Sequence, residues 1–122
     1  MINLKSHRPW LLIIYVLIMF TNSMFSFIDI PIKHIWKYDK IIHFGEYFVL
    51  GLLLFYMLYE QPISKQNLLY SIAIISLIPI LDESIQYFTP NRISSVTDAI
   101  ADYFGCYLGC FIYHISYRYY RG

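Results

Sequence analysis

Charge is scarce in this sequence. Asp, Glu, Lys and Arg make up 14% of its 122 residues against 58% hydrophobic ones, whereas soluble domains carry about 25% charged and about 45–50% apolar residues. That composition is a poor fit to an ordinary soluble core and reads as a membrane protein, one domain over residues 1–122. The few charges nearly balance, and a formal net charge of +1 offers no basic field for nucleic acid and no acidic tail, so no nucleic-acid partner is expected. Cysteine is almost missing. Cys106 and Cys110 lie four apart in one apolar segment, which puts them on one side of a single helix and argues against a structural disulfide between them. They are expected to be free, small residues facing lipid or a neighbouring helix. Repeats and low-complexity segments are lacking, and no A-x-A-like cleavage site follows the basic start and first apolar run. That run is therefore expected to be an uncleaved span and not a signal peptide.

What is present is apolar length. Four runs, about 10–28, 41–59, 68–86 and 96–117, are each long enough for a helix crossing about 30 Å of hydrocarbon. The expected fold is all-α, an integral membrane four-helix bundle. Ser26 to Lys40 reads as a surface connection with Trp36 and Tyr38 as headgroup-level anchors, and Tyr117 to Arg121 as a closing aromatic and basic anchor. Pro79 removes a helical hydrogen bond and predicts a kink late in the third span. Four spans put both termini on one side, with Lys5, Arg8, Lys65, Arg118 and Arg121 there and Lys33, Lys37, Lys40 and Arg92 opposite. With Lys40 and Arg92 set aside as site residues, five cations face two. Both termini are therefore expected in the cytoplasm of a multi-pass inner-membrane protein.

The polar residues gather at the other side. Asp39, His43 and Tyr47 follow i, i+4 steps at the start of the second span, beside Lys40 and Glu46; Asp82, Glu83 and Gln86 close the third span, and Arg92 sits in the turn beyond. Asp98 and Asp102 open the fourth span on a stripe continuing through Gly105 and Gly109. Ala101, Gly105 and Gly109 would let a second helix come close, turning the Asp98/Asp102 face inward. Six of the chain's eight carboxylates, Asp39, Glu46, Asp82, Glu83, Asp98 and Asp102, fall in these groups. Ionisable groups cost roughly 2.5–3.5 kcal/mol each at the centre of a membrane helix. Interhelical polar pairs return only about 0.6 kcal/mol on average, so a mere lock explains the cluster poorly and a site in an outward-opening cleft explains it better.

The residues carry a resemblance. Asp39-Lys40-x-x-His43-Phe44-x-x-Tyr47, then Asp82-Glu83-x-x-Gln86-x-Phe88-x-Pro90-x-Arg92, then Asp98-x-x-x-Asp102-x-x-Gly105-x-x-x-Gly109 resembles the VanZ-like family of small bacterial membrane proteins over roughly residues 36 to 113. Asp102 stands where the family pattern has Asn, exchanging an amide donor for another acid. The resemblance implies a multi-span envelope protein, the founding member of the family being associated with resistance to the glycopeptide teicoplanin. It implies no known reaction.

Three chemistries suit these residues. An anionic envelope lipid or cell-wall precursor could be bound without turnover, with Arg92 as a bidentate clamp on a phosphate and Lys40 assisting. Asp39, Tyr47, Gln86, Asp98 and Asp102 would complete the binding set. A membrane-embedded enzyme acting on a phosphate-bearing lipid would use His43 with Asp39 or Asp82 as acid and base, and Glu83 beside them, although no nucleophile is identifiable. In a metal-assisted variant Asp82, Glu83, Asp98 or Asp102 would hold Mg2+ or Mn2+, whose hard oxygen preference suits carboxylates. Their spacing matches no standard metal motif, so no ligand set is assigned. His7, His34 and His114 lie outside the cluster, and His114 is expected to hydrogen-bond to a neighbouring helix.

Overall fold

In a computed structural model of the chain, the structure describes residues 3–24, 35–60, 62–90 and 95–122, the side chains of residues 35–39 excepted. The described residues form helices and no strand: α1 (Arg8–Met24), α2 (Ile35–Leu58), α3 (Lys65–Ile75), α4 (Ile78–Phe88) and α5 (Val96–Arg121). The all-helical expectation holds.

The third apolar run is two helices in series, where one kinked span is expected from the sequence. Pro79 is the second residue of α4 and has no N–H to give the Ile75 carbonyl, so a continuous ladder cannot pass this point. The chain tightens instead, with Ser76 N donating to Ile72 O (3.0 Å) and Leu77 N to Ile74 O (3.1 Å). Backbone groups freed at the break find partners on α5. Tyr103 Oη donates to Ser76 O at 2.7 Å, and the Ser76 and Tyr107 hydroxyls lie 2.7 Å apart. Helix starts are marked by serine: Ser64 Oγ accepts from Asn67 N (3.1 Å) at α3, and Ser95 Oγ from Thr97 N (3.2 Å) at α5.

α2 and α5 form the largest interface, and three glycines set its spacing. A Cβ on Gly51, Gly105 or Gly109 would fall inside 3.0 Å of the carbonyl oxygen of Cys106, Phe44 or Phe48 respectively. The backbones touch because these side chains are missing. Around that seam the core comprises Met19, Tyr47, Leu50, Leu54, Phe55, Leu58, Ile75, Cys106 and Cys110, with both cysteines free and turned inward. At the end holding Tyr59 and Tyr117, whose tilted rings lie 4.6 Å apart, His114 Nδ1 meets the Tyr59 hydroxyl and the Arg8 guanidinium sits 4.2 Å over Tyr56. His7 Nε2, exposed, lies 3.0 Å from the Tyr56 hydroxyl.

α4 is inside out. Its buried residues are Pro79, Asp82, Glu83 and Gln86, while Ile80, Leu81, Tyr87 and Phe88 are 52–82% exposed. Apolar side chains also line the outside of the other helices, among them Trp10, Ile14, Leu17, Ile41, Leu69, Ile74, Phe104 and Phe111. Two helical stretches, Lys40–Leu58 and Lys65–Phe88, are long and apolar enough to cross a membrane, and α1 is a shorter apolar helix.

Candidate functional site

Three helices deliver polar side chains to one buried cluster. His43 and Tyr47, one turn apart on α2, are 3% and 0% exposed; Asp82, Glu83 and Gln86 on α4 are 1–9% exposed; Asp98 and Asp102 on the first turns of α5 are 3% and 0% exposed. Each set follows helical spacing, so the local fold alone puts its members on one face. The glycine seam then holds the α5 face against α2, and the break at Ser76–Leu77 lets α4 take its own course against α1 and α5.

Hydrogen bonds join the helices through three carboxylates. His43 Nδ1 lies 2.9 Å from Asp102 Oδ1. Asp82 accepts from the Ser23 hydroxyl of α1 on one oxygen and from Tyr47 Oη (3.1 Å) on the other, with Gln86 Nε2 at the outer limit of 3.5 Å. Glu83 Oε2 accepts from Ser95 N (3.0 Å), tying α4 to the start of α5. Lys40 Nζ stands 3.3 Å from Asp98 Oδ1, an ion pair without directed hydrogen-bond geometry, and its side chain is 60% exposed while that of Asp98 is 4% exposed. Asp102 Oδ2 is buried and has no hydrogen-bond partner among the described residues.

The electrostatics are one-sided. Two carboxylate charges about 4–5 Å apart repel by about 3–4 kcal/mol at an effective dielectric of about 20. Asp82 and Asp102 meet no Lys or Arg among the described residues. One ligand atom each from His43, Asp82 and Asp102 falls within 4.8 Å of the others, and the same holds for His43, Glu83 and Asp98. The cluster is thus able to move a proton between imidazole and carboxylate, or to take a cation, and among the described residues Lys40 at its rim is what offers an anion a positive charge.

Most residues singled out from the sequence converge here: His43, Tyr47, Asp82, Glu83, Gln86, Asp98 and Asp102 inside, and Lys40 at the rim. Arg92 and the side chain of Asp39 lie outside the described residues. The histidine contact described is with Asp102, not Asp82, because Asp82 is taken up by Ser23 and Tyr47. Glu46 turns toward α1, with Asn22 Nδ2 at 3.4 Å from its Oε1. Ser23 is a buried partner that the sequence does not single out, since a serine in an apolar run is commonly absorbed by its own helix. It does also donate to Met19 O at 3.2 Å. The side chains expected to line an open cleft are enclosed, with access to solvent kept at Lys40.

Neither a curated protein nor a solved structure matches the chain. A family model described as VanZ/LLP1 matches residues 3–117, an extent that takes in the His43, Asp82 and Asp102 helices together with α1 and α3. The chain belongs to the VanZ/LLP1 family.

Proposed function

We propose that this is a multi-pass protein of the bacterial inner membrane whose buried polar cluster forms, with Lys40 at its rim, a binding site for the phosphate-bearing head group of an envelope lipid or cell-wall precursor. The observation that carries the reading is the inversion of α4, carboxylates inward and Ile80, Leu81, Tyr87 and Phe88 outward. In water that arrangement would expose a wide apolar face and bury charge, both unfavourable; in lipid the exposed face is solvated, and intramembrane ionisable groups mark a functional site by default. Arg8, Lys65, Arg118 and Arg121 supply the positive end, with Lys65 and Arg121 lining one pocket with Tyr59 and Tyr117. That asymmetry supports a reading with the termini in the cytoplasm and the cluster at the outer face. Glycopeptide resistance would follow if occupancy of the site changes the precursor available to the antibiotic.

A second reading is a membrane-embedded enzyme on the same substrate class, favoured by the buried His43–Asp102 pair at 2.9 Å. A carboxylate so placed orients an imidazole for acid and base work. Incubating purified protein with radiolabelled polyprenyl phosphate or pyrophosphate, with and without Mg2+, separates the two. Saturable retention of unchanged label supports binding, and released or converted label supports catalysis. Neither outcome, in a protein of full helical content, overturns both.

A further inference from the structure

We infer that His43, Asp82 and Asp102 together hold one first-row divalent cation. Three helices bring these residues to one point, and one ligand atom of each lies within 4.8 Å of the other two, a span that a single ion in their midst could close with small side-chain movements. All three are at least 97% buried. A second observation points to a missing partner. Asp102 is 0% exposed, its Oδ1 faces His43, and its Oδ2 has no hydrogen-bond donor among the described residues. Buried carboxylate oxygens are almost always satisfied, and burial of ionised carboxylates calls for a paired charge or a metal.

Charge points the same way. Asp82 and Asp102 bring two negative charges, neutral His43 none, and a dication balances the triad. Among the described residues Lys40 lies at the rim, beside Asp98, and leaves the triad without a cation of its own. The alternative is an Asp102 carboxyl kept protonated on Oδ2, which would relieve the repulsion but make that oxygen a buried hydroxyl in need of an acceptor. One imidazole nitrogen among carboxylate oxygens suits Mn2+ and its first-row neighbours, whereas Ca2+ takes six to eight oxygens. The Ser23 and Tyr47 hydroxyls, both donating to Asp82, would act as the outer partners that orient a ligating carboxylate. The cation would supply the positive charge an anionic head group needs, but the inference does not rest on the lipid reading.

The test uses the full chain in detergent micelles, stripped with EDTA and titrated with MnCl2, free Mn2+ being followed by its electron paramagnetic resonance signal. One Mn2+ per chain is expected to bind, and pulsed resonance should show a single histidine nitrogen coupled to it, lost in His43→Gln. Asp82→Asn and Asp102→Asn should each weaken binding beyond the about 10–100-fold that loss of an outer-shell partner costs. The inference is overturned by a wild-type chain that binds no Mn2+ or Zn2+, by bound Mn2+ without nitrogen coupling, or by unchanged affinity in both aspartate variants. The wild-type resonance measurement decides the matter even where a variant does not fold. Lipid retention without metal would sink the cation and leave the lipid site, whereas metal without lipid retention would do the reverse.

Discussion

His43 Nδ1 stands 2.9 Å from Asp102 Oδ1 with both side chains almost wholly enclosed, so α2 and α5 are joined by a titratable pair at the depth where either group alone would be costly. The pair sits beside Asp82, itself held by α1 and α2, and that crowding of acid around one imidazole is what favours the proposed site over a simple interhelical lock.

Asp102→Asn tests the pair. Asparagine keeps the size and the acceptor toward His43 but removes a charge whose second oxygen has no partner among the described residues. In EDTA the variant should unfold at the same temperature as the wild type or higher, since it relieves an uncompensated buried charge. With Mn2+ at a hundred times its dissociation constant the wild type should gain about 2.7 kcal/mol and the variant much less. Thermal unfolding followed by circular dichroism reads both.

Ser23→Ala removes a hydroxyl donor from Asp82 and leaves a buried carboxylate oxygen short of a partner. The loss should be about 1–3 kcal/mol, read as a lower unfolding midpoint in detergent. Thr21→Ala, whose hydroxyl is exposed and returns to its own helix at Leu17 O, should change the midpoint little.

The α2–α5 seam makes a sharp contrast among glycines. Gly105→Ala or Gly109→Ala would force backbones apart, costing about 1–3 kcal/mol or more and lowering metal and lipid binding with it. Gly45→Ala, where a Cβ meets nothing within 4 Å, should instead be neutral or stabilise the helix by about 0.5–1 kcal/mol. Unfolding midpoints of the three variants check the order.

Orientation is read by a membrane-impermeant maleimide added to intact cells. Cys106 and Cys110 are buried and should stay silent. Lys40→Cys, exposed at the cluster end, should label from outside, and Lys65→Cys only after the membrane is permeabilised. The opposite pattern would invert the topology.

Much of this was legible in residue order because helices impose short-range geometry. The i, i+4 steps of His43 and Tyr47, Asp82 and Gln86, and Asp98 and Asp102 put the right side chains on shared faces, and the Gly105/Gly109 stripe marks where a neighbour comes close. Partner choice was not legible, because it depends on how three helices meet. His43 contacts Asp102 and leaves Asp82 to Ser23 and Tyr47. Ser23 was hidden among apolar residues for the same reason. Pro79 marks a disruption in the sequence, but whether the helix kinks or stops depends on tertiary partners, here Tyr103 and Tyr107 capping the break at Ser76.

The central claim, that the enclosed acids form a ligand site and not a lock, meets its most direct test in native mass spectrometry of the protein released from its own membranes. The account predicts a bound phosphate-bearing lipid on the wild type that is lost from the Lys40→Gln variant at equal helical content. A wild-type chain released without such a lipid, or an identical adduct on both proteins, would contradict it.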